Sequence, residues 1–109
     1  MVPRPPRPPG AHDSRPLDTP TLFQTRVIAV VTNLPAGEVM TYAEVAVEAG
    51  HPGAGQAVAN VLRRVEGLPW WRVIPSTGRL YRTHAPTQGP LLQSEGVDVG
   101  EDRWVRPAG

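Results

Sequence analysis

Residues 41–65 read "TYAEVAVEAGHPGAGQAVANVLRRV". Thr41 and Glu44 stand three apart at the head of an apolar run, the spacing of a capping box. Tyr42, Val45, Ala46 and Ala49 then recur at i, i+3, i+4 and i+7, one face of a helix. Gly50 supplies the left-handed stop at which helices end. After "HPGAG", Val58, Val61, Leu62 and Val65 mark a second amphipathic helix. Two short helices joined by so brief a turn predict a helix-turn-helix. The second helix opens on small residues, Gly53, Ala54, Gly55 and Ala57, although glycine weakens a helix by about 1 kcal/mol relative to alanine. Either a partner such as a DNA groove approaches that backbone closely, or the two helices pack tightly there. The residues alone leave both open.

Working outward, Thr21 and Gln24 repeat the capping-box spacing upstream. Phe23, Val27, Val30, Val31 and Leu34 follow it at helical intervals, and "LPAGEV" ends that helix. Downstream lies "LPWWRVIPSTGRL", residues 68–80. Here "WRVI" predicts a short extended run, "PSTG" a turn and "RLY" a return strand. "GPLLQSEG" predicts a short helix with Pro90 near its start and Gly96 past its end. "VDVGEDRWV" predicts a terminal hairpin. The fold class that follows from these elements is mainly α with short strands around a helix-turn-helix.

The chain has 109 residues, the size of one small domain. Half of its 14 prolines fall within the first twenty residues. Residues 1–18 therefore predict a disordered Pro/Arg-rich tail, and 19–109 the folded domain. There is no cysteine, which excludes disulfides, thiolate metal sites and a cysteine nucleophile. His12, His51 and His84 have no metal-ligand spacing, so no metal or other cofactor is expected. No apolar run is long enough for a membrane span and no signal-peptide pattern is present. The expectation is a soluble monomer, cytoplasmic and nucleoid-associated.

Net charge is only +1, but all cationic side chains are arginine. Between Gln56 and Arg82 lie Arg63, Arg64, Arg72, Arg79 and Arg82, opposed by Glu66 alone, with net acidic segments on either side. A basic middle of this kind suits an anionic partner such as a phosphate backbone.

Taken in order, "LPAGEVMTYAEVAVEAGHPGAGQAVANVLRR", "LPWWRVIPSTG" and "LLQSEGV" resemble the DNA-binding domain of O6-alkylguanine-DNA alkyltransferases. The family pattern runs P-x-G-x-V-x-T-Y-x-x-I-A, G-x-P-x-A-x-R-A-V-G, P-C-H-R-V and L-L-x-x-E-G, and the resemblance covers roughly Phe23 to Val97. In that family the Cys of P-C-H-R accepts the alkyl group, the His relays a proton and a later Glu orients the His. Here Trp70 stands at the Cys position, Trp71 at the His position and Glu95 at the Glu position. Indole offers neither a thiolate nor a proton relay, so no catalytic residue is assigned. The chain is most similar to the alkyltransferase-like branch, whose members usually read P-W-H-R or have Ala for the Cys, and Trp71 departs even from that pattern.

The resemblance implies a winged helix-turn-helix-like DNA-binding domain of the alkyltransferase C-terminal type, acting as a lesion sensor. Its partner would be double-stranded DNA containing O6-alkylguanine, with the base flipped into a pocket lacking the acceptor Cys and the site passed to nucleotide excision repair proteins. It assigns Tyr42 to crowding the target phosphate and Thr41 to capping that helix beside a phosphate. Gly55, Ala57, Asn60 and Arg63 lie on the helix laid against the duplex. Gln56 stands where the family has an intercalating Arg, and lacks its charge and stacking plane. Trp70 would line the pocket while Trp71 points the other way and packs. Arg72 would bridge strand and helix, Val73 and Ser76 would form pocket wall, and Arg82 would act as a lid over the base. The rival is a winged helix-turn-helix regulator without lesion specificity. It would want polar base-reading side chains where the third helix opens on small ones.

Overall fold

The computed structural model describes residues 21–106. The predicted tail, 1–18, lies outside the described residues. The three N-terminal helices form as their local signals dictate. Thr21 caps α1 (Leu22–Thr32): its Oγ1 accepts from the Gln24 amide at 3.1 Å, and its own amide donates to Gln24 Oε1 at 2.8 Å. The same reciprocal pair, Thr41 and Glu44 at 3.0 and 2.9 Å, opens α2 (Tyr42–Glu48). Gly50 leaves α2 at φ 85°, where a Cβ would also meet Arg26 Nη1 at 3.0 Å. The next helix, α3 (Gly55–Arg64), starts at Ala54 without a side-chain cap. These helices enclose one buried cluster, made of Val27, Val31, Val45, Ala46, Ala49, Val58, Val61, Leu62, Leu68, Trp70 and Val73.

A second cluster, Ile74, Leu80, Leu92, Val97, Val99 and Val105, sits under α4 (Ala85–Ser94) and a terminal hairpin. The hairpin pairs β3 (Asp98–Val99) with β4 (Val105–Arg106), antiparallel, as the sequence predicts. Helices therefore dominate, joined by two-residue strands, in agreement with the expected fold class.

Three expectations need correction. "WRVI" is not one extended run. Trp70–Arg72 wind into a 3-10 turn, and only Val73–Ile74 form a strand, β2. That strand pairs in parallel with β1 (Met40–Thr41), not with "RLY". Of "RLY", Arg79 alone bridges, to Trp104. Finally, α4 begins at Ala85, with Pro86 in its first turn and Pro90 inside it. Pro86 is the proline at the helix start, where its missing N–H is not needed. Pro90 forgoes one backbone bond, on the exposed side of the helix.

Candidate nucleic-acid interface

The β1–β2 pairing brings the start of α2 beside the tryptophan turn. From there a run of rings extends outward. Trp70 and Trp71 meet edge to face at 6.1 Å, Trp70 and His84 at 6.1 Å, and His84 and Tyr81 at 5.5 Å. Tyr81 in turn stacks on Tyr42 at 6.3 Å with planes 28° apart. Tyr81 is 50% exposed and presents an open aromatic face beside the α2 terminus. Neither Tyr81 nor His84 is legible as a site residue in the sequence. Their spacing carries no motif, and only the turn into α4 aims them back at Tyr42 and Trp70.

Of the two tryptophans, Trp70 is the more buried. Trp70 is 3% exposed and belongs to the first cluster, whereas Trp71 is half-buried between both clusters. Adjacent residues point apart in a strand, but a 3-10 turn rotates them by about a third of a turn. That sends Trp70 inward and leaves Trp71 at the seam.

Behind the turn, Gln88 is buried, and its Nε2 donates to the carbonyls of Trp71 and Val73, both at 2.9 Å. A buried amide with two good acceptors fixes the turn against α4. Arg72 binds Glu95 through two nitrogens, Nε to Oε1 at 2.9 Å and Nη2 to Oε2 at 2.5 Å, and its Nη1 donates to the Leu34 carbonyl at 2.8 Å. Arg72 thus ties the turn to the ends of α1 and α4, the bridging role expected of it. The hydrogen bonds from Arg72 hold the Glu95 carboxyl below its usual range. The Trp71 indole N–H nearby and the Gly37 amide act in the same direction, against the opposing effect of burial. The Trp71 N–H is buried without completing a hydrogen bond.

Gly55 resolves the question of the small residues at least in part. A Cβ there would lie 3.5 Å from Tyr42 Cβ and 3.7 Å from the Ala43 amide, so tight α2–α3 packing uses it directly. Gln56, Asn60 and Arg63 fall at i, i+4 and i+7 on α3 and share a face. Gln56 and Asn60 are exposed, and Arg63 Nη2 donates to Asn60 Oδ1. Ala57 is half-buried beside Asn60 and Arg64, in a shallow groove of about 230 Å³ that reaches Thr21 and Phe23.

Arg63 also reaches the ring system. Its charge acts on Tyr42 and on His84. Burial, with Arg63 second, lowers the His84 pKa. Burial pushes the Tyr42 phenol up to about 12, with Tyr81 adding to the rise and Arg63 opposing it. Because the chain has two tyrosines, ultraviolet titration of Tyr81→Phe reads Tyr42 alone. Its phenolate should form well above the ordinary value of about 10. Ionisation near 10 would mean that Tyr42 is not held as described.

The structure therefore gathers Thr41, Tyr42, Gly55, Arg63 and Trp70 around one edge, with Gln56 and Asn60 along the adjoining helix face. Ser76 is exposed on the following turn. Val73 is wholly buried in the first cluster. Arg82 lines a separate cavity between α4 and the hairpin. Among the described residues, no group of three His, Cys, Asp or Glu could hold a metal ion.

The family model for the 6-O-methylguanine DNA methyltransferase DNA-binding domain matches residues 22–97. A "DNA base-flipping protein" of Vibrio parahaemolyticus is 39% identical over 84 residues, covering 72% of this chain and 84% of the relative. That of Escherichia coli is 42% identical over 82 residues, covering 71% and 64%. Among solved structures, S. pombe Atl1 in complex with damaged DNA containing O6-carboxymethylguanine superposes with a TM-score of 0.66 at 30% identity, covering 72% of this chain and 79% of that one. Mycobacterium tuberculosis OGT in complex with DNA gives 0.61 at 32% identity, covering 71% and 51%. With the helix-turn-helix, the tryptophan turn and the Arg72–Glu95 tie all inside the matched span, the chain belongs to the 6-O-methylguanine DNA methyltransferase family, as an alkyltransferase-like protein.

Proposed function

We propose that the protein binds duplex DNA at O6-alkylguanine, rotates the damaged base out of the stack and holds it without taking its alkyl group. The observation that carries this reading is Trp70, at the turn where the resemblance places the acceptor, in a chain with no cysteine. Flipping costs a few kcal/mol and least for a poorly paired base. Stacking on an aromatic side chain returns about 1–3 kcal/mol per base, and each buried methylene of the lesion adds about 0.8 kcal/mol. Tyr81, His84 and Tyr42 offer the faces for this, and Arg63 the adjoining charge. The names and DNA complexes of the relatives support the same reading. In this proposal the protein acts as a cytoplasmic monomer on the nucleoid, and the held lesion is passed to nucleotide excision repair proteins.

The test is incubation with duplex bearing labelled O6-methylguanine. The label should stay on DNA, and the protein should shield the lesion from an active alkyltransferase in competition. Stoichiometric transfer to protein would sink the proposal. The exposed amides of Gln56 and Asn60 favour the rival, since such side chains can read adenine edges. Gel shifts on matched duplexes separate the two. A sensor prefers the O6-methylguanine duplex, whereas a regulator binds both alike.

A further inference from the structure

We propose that the cavity between α4 and the β3–β4 hairpin seats a backbone phosphate of the DNA flanking the flipped base, held by Arg82 and Arg103. This rests on the proposed DNA binding but adds a second anchor to it. The cavity measures about 420 Å³ and is floored by Ala85, Pro86 and Gly89, small or ring-limited side chains that leave its middle open. Arg82 enters it from the loop before α4, and Arg103 from the hairpin turn.

Arg103 is held in an unusual way. Its φ is 71°, the one positive value at a non-glycine among the described residues. Left-handed backbone at a long side chain costs energy and persists where surrounding contacts impose it. Here its amide donates to the Gly100 carbonyl, and its carbonyl accepts from Leu80, both at 2.9 Å. The guanidinium Nε that this backbone positions is buried and has no acceptor among the described residues. Burial, and then the charges of Arg79 and Arg82, oppose its protonated form. Arg82 and Arg103 line one cavity and their like charges oppose each other, a repulsion that a phosphate relieves by accepting charge-assisted hydrogen bonds.

Arg79 is already committed: its Nε donates to the Asp102 carbonyl at 2.9 Å, and its guanidinium lies over the Trp104 ring. Arg82 and Arg103 remain for the ligand. Continuity with the candidate interface favours DNA over an acidic peptide. Arg82 directly follows Tyr81, which stacks on Tyr42. Trp104 directly follows Arg103, and a Cβ added at Gly78, in the turn that carries Ser76, would lie 3.8 Å from its ring. A strand whose base is held at Tyr42 and Tyr81 therefore has this cavity beside its path. Glu101 lines the same cavity and opposes the anion.

The experiment is a salt titration of affinity for undamaged and O6-methylguanine duplexes, using Arg82→Gln, Arg103→Asn and Glu101→Gln in the full chain. Asparagine tolerates the left-handed conformation, so Arg103→Asn removes charge without forcing the turn. Each arginine variant should lower the log–log salt slope by up to about 0.9, the value of one phosphate, weaken both duplexes by the same factor and leave the lesion preference intact. Glu101→Gln should strengthen both. Unchanged slopes in folded variants, with wild-type DNA binding intact, would overturn the phosphate seat alone. Loss of lesion preference in Arg82→Gln would overturn it in favour of a lid. Capture of a poly-glutamate peptide by wild type but not Arg82→Gln, with unchanged DNA slopes, would overturn it in favour of a protein partner. Failure of the wild type to bind DNA at all would overturn both this seat and the proposed function.

Discussion

Trp70→Ala should lower stability by about 3–5 kcal/mol, the cost of emptying a large buried aromatic site. The ring is 3% exposed and packs in the same cluster as Val27, Val45, Val58 and Val73. Small domains have total stabilities of about 5–15 kcal/mol, so this single change consumes much of the margin. Trp71→Ala should cost less, about 1–3 kcal/mol, since its ring is only partly buried and its backbone carbonyl still receives Gln88. Urea unfolding followed by far-ultraviolet circular dichroism ranks the two without depending on the indoles as reporters. A smaller loss for Trp70→Ala than for Trp71→Ala would contradict the packing described. One consequence concerns lesion binding. Trp70→Ala confuses loss of a stacking face with loss of fold, so Trp70→Phe, which keeps an aromatic ring in the core, is the variant for that question.

What the sequence could and could not reveal follows from the range of the forces involved. Both capping boxes and the apolar faces of α1, α2 and α3 are local: Thr41 and Glu44 need only each other. The two-residue strands are not, since Met40 meets Val73 across the whole helix-turn-helix. Nothing within "WRVI" distinguishes an isolated strand from one preceded by a 3-10 turn, and that distinction decides which tryptophan faces inward. Pro90 resembled a helix start because Pro86, four residues earlier, sits outside the apolar run that defined the segment. With the true start in hand, Gln88, Gly89 and Leu92 would have fallen on one buried face, and a glutamine there would have signalled a buried amide seeking carbonyls. Tyr81 and His84 carried no such signal. Their meeting with Tyr42 and Trp70 is wholly tertiary.

Arg72→Ala should destabilise the protein by roughly 2–4 kcal/mol near neutral pH, because it leaves a carboxylate and a carbonyl without their shared donor. Glu95 loses all of its guanidinium bonds, and the Leu34 carbonyl loses Nη1. The Trp71 ring also loses the cation above it at 5.4 Å. The pH dependence identifies the pair. Glu95 titrates below its ordinary value of 4.5 in the folded chain. A depressed carboxyl contributes stability that is fully present above the unfolded pKa and disappears as pH falls through the folded one. The difference between wild type and Arg72→Ala should therefore be constant from neutral pH down to about 4.5 and shrink below it. Arg72→Lys should recover only part of the loss, since an ammonium cannot span both carboxylate oxygens and the Leu34 carbonyl at once. A wild-type-to-variant gap that stayed constant as the pH fell well below 4 would mean that Arg72 acts through packing alone, and that Glu95 is not the group it holds.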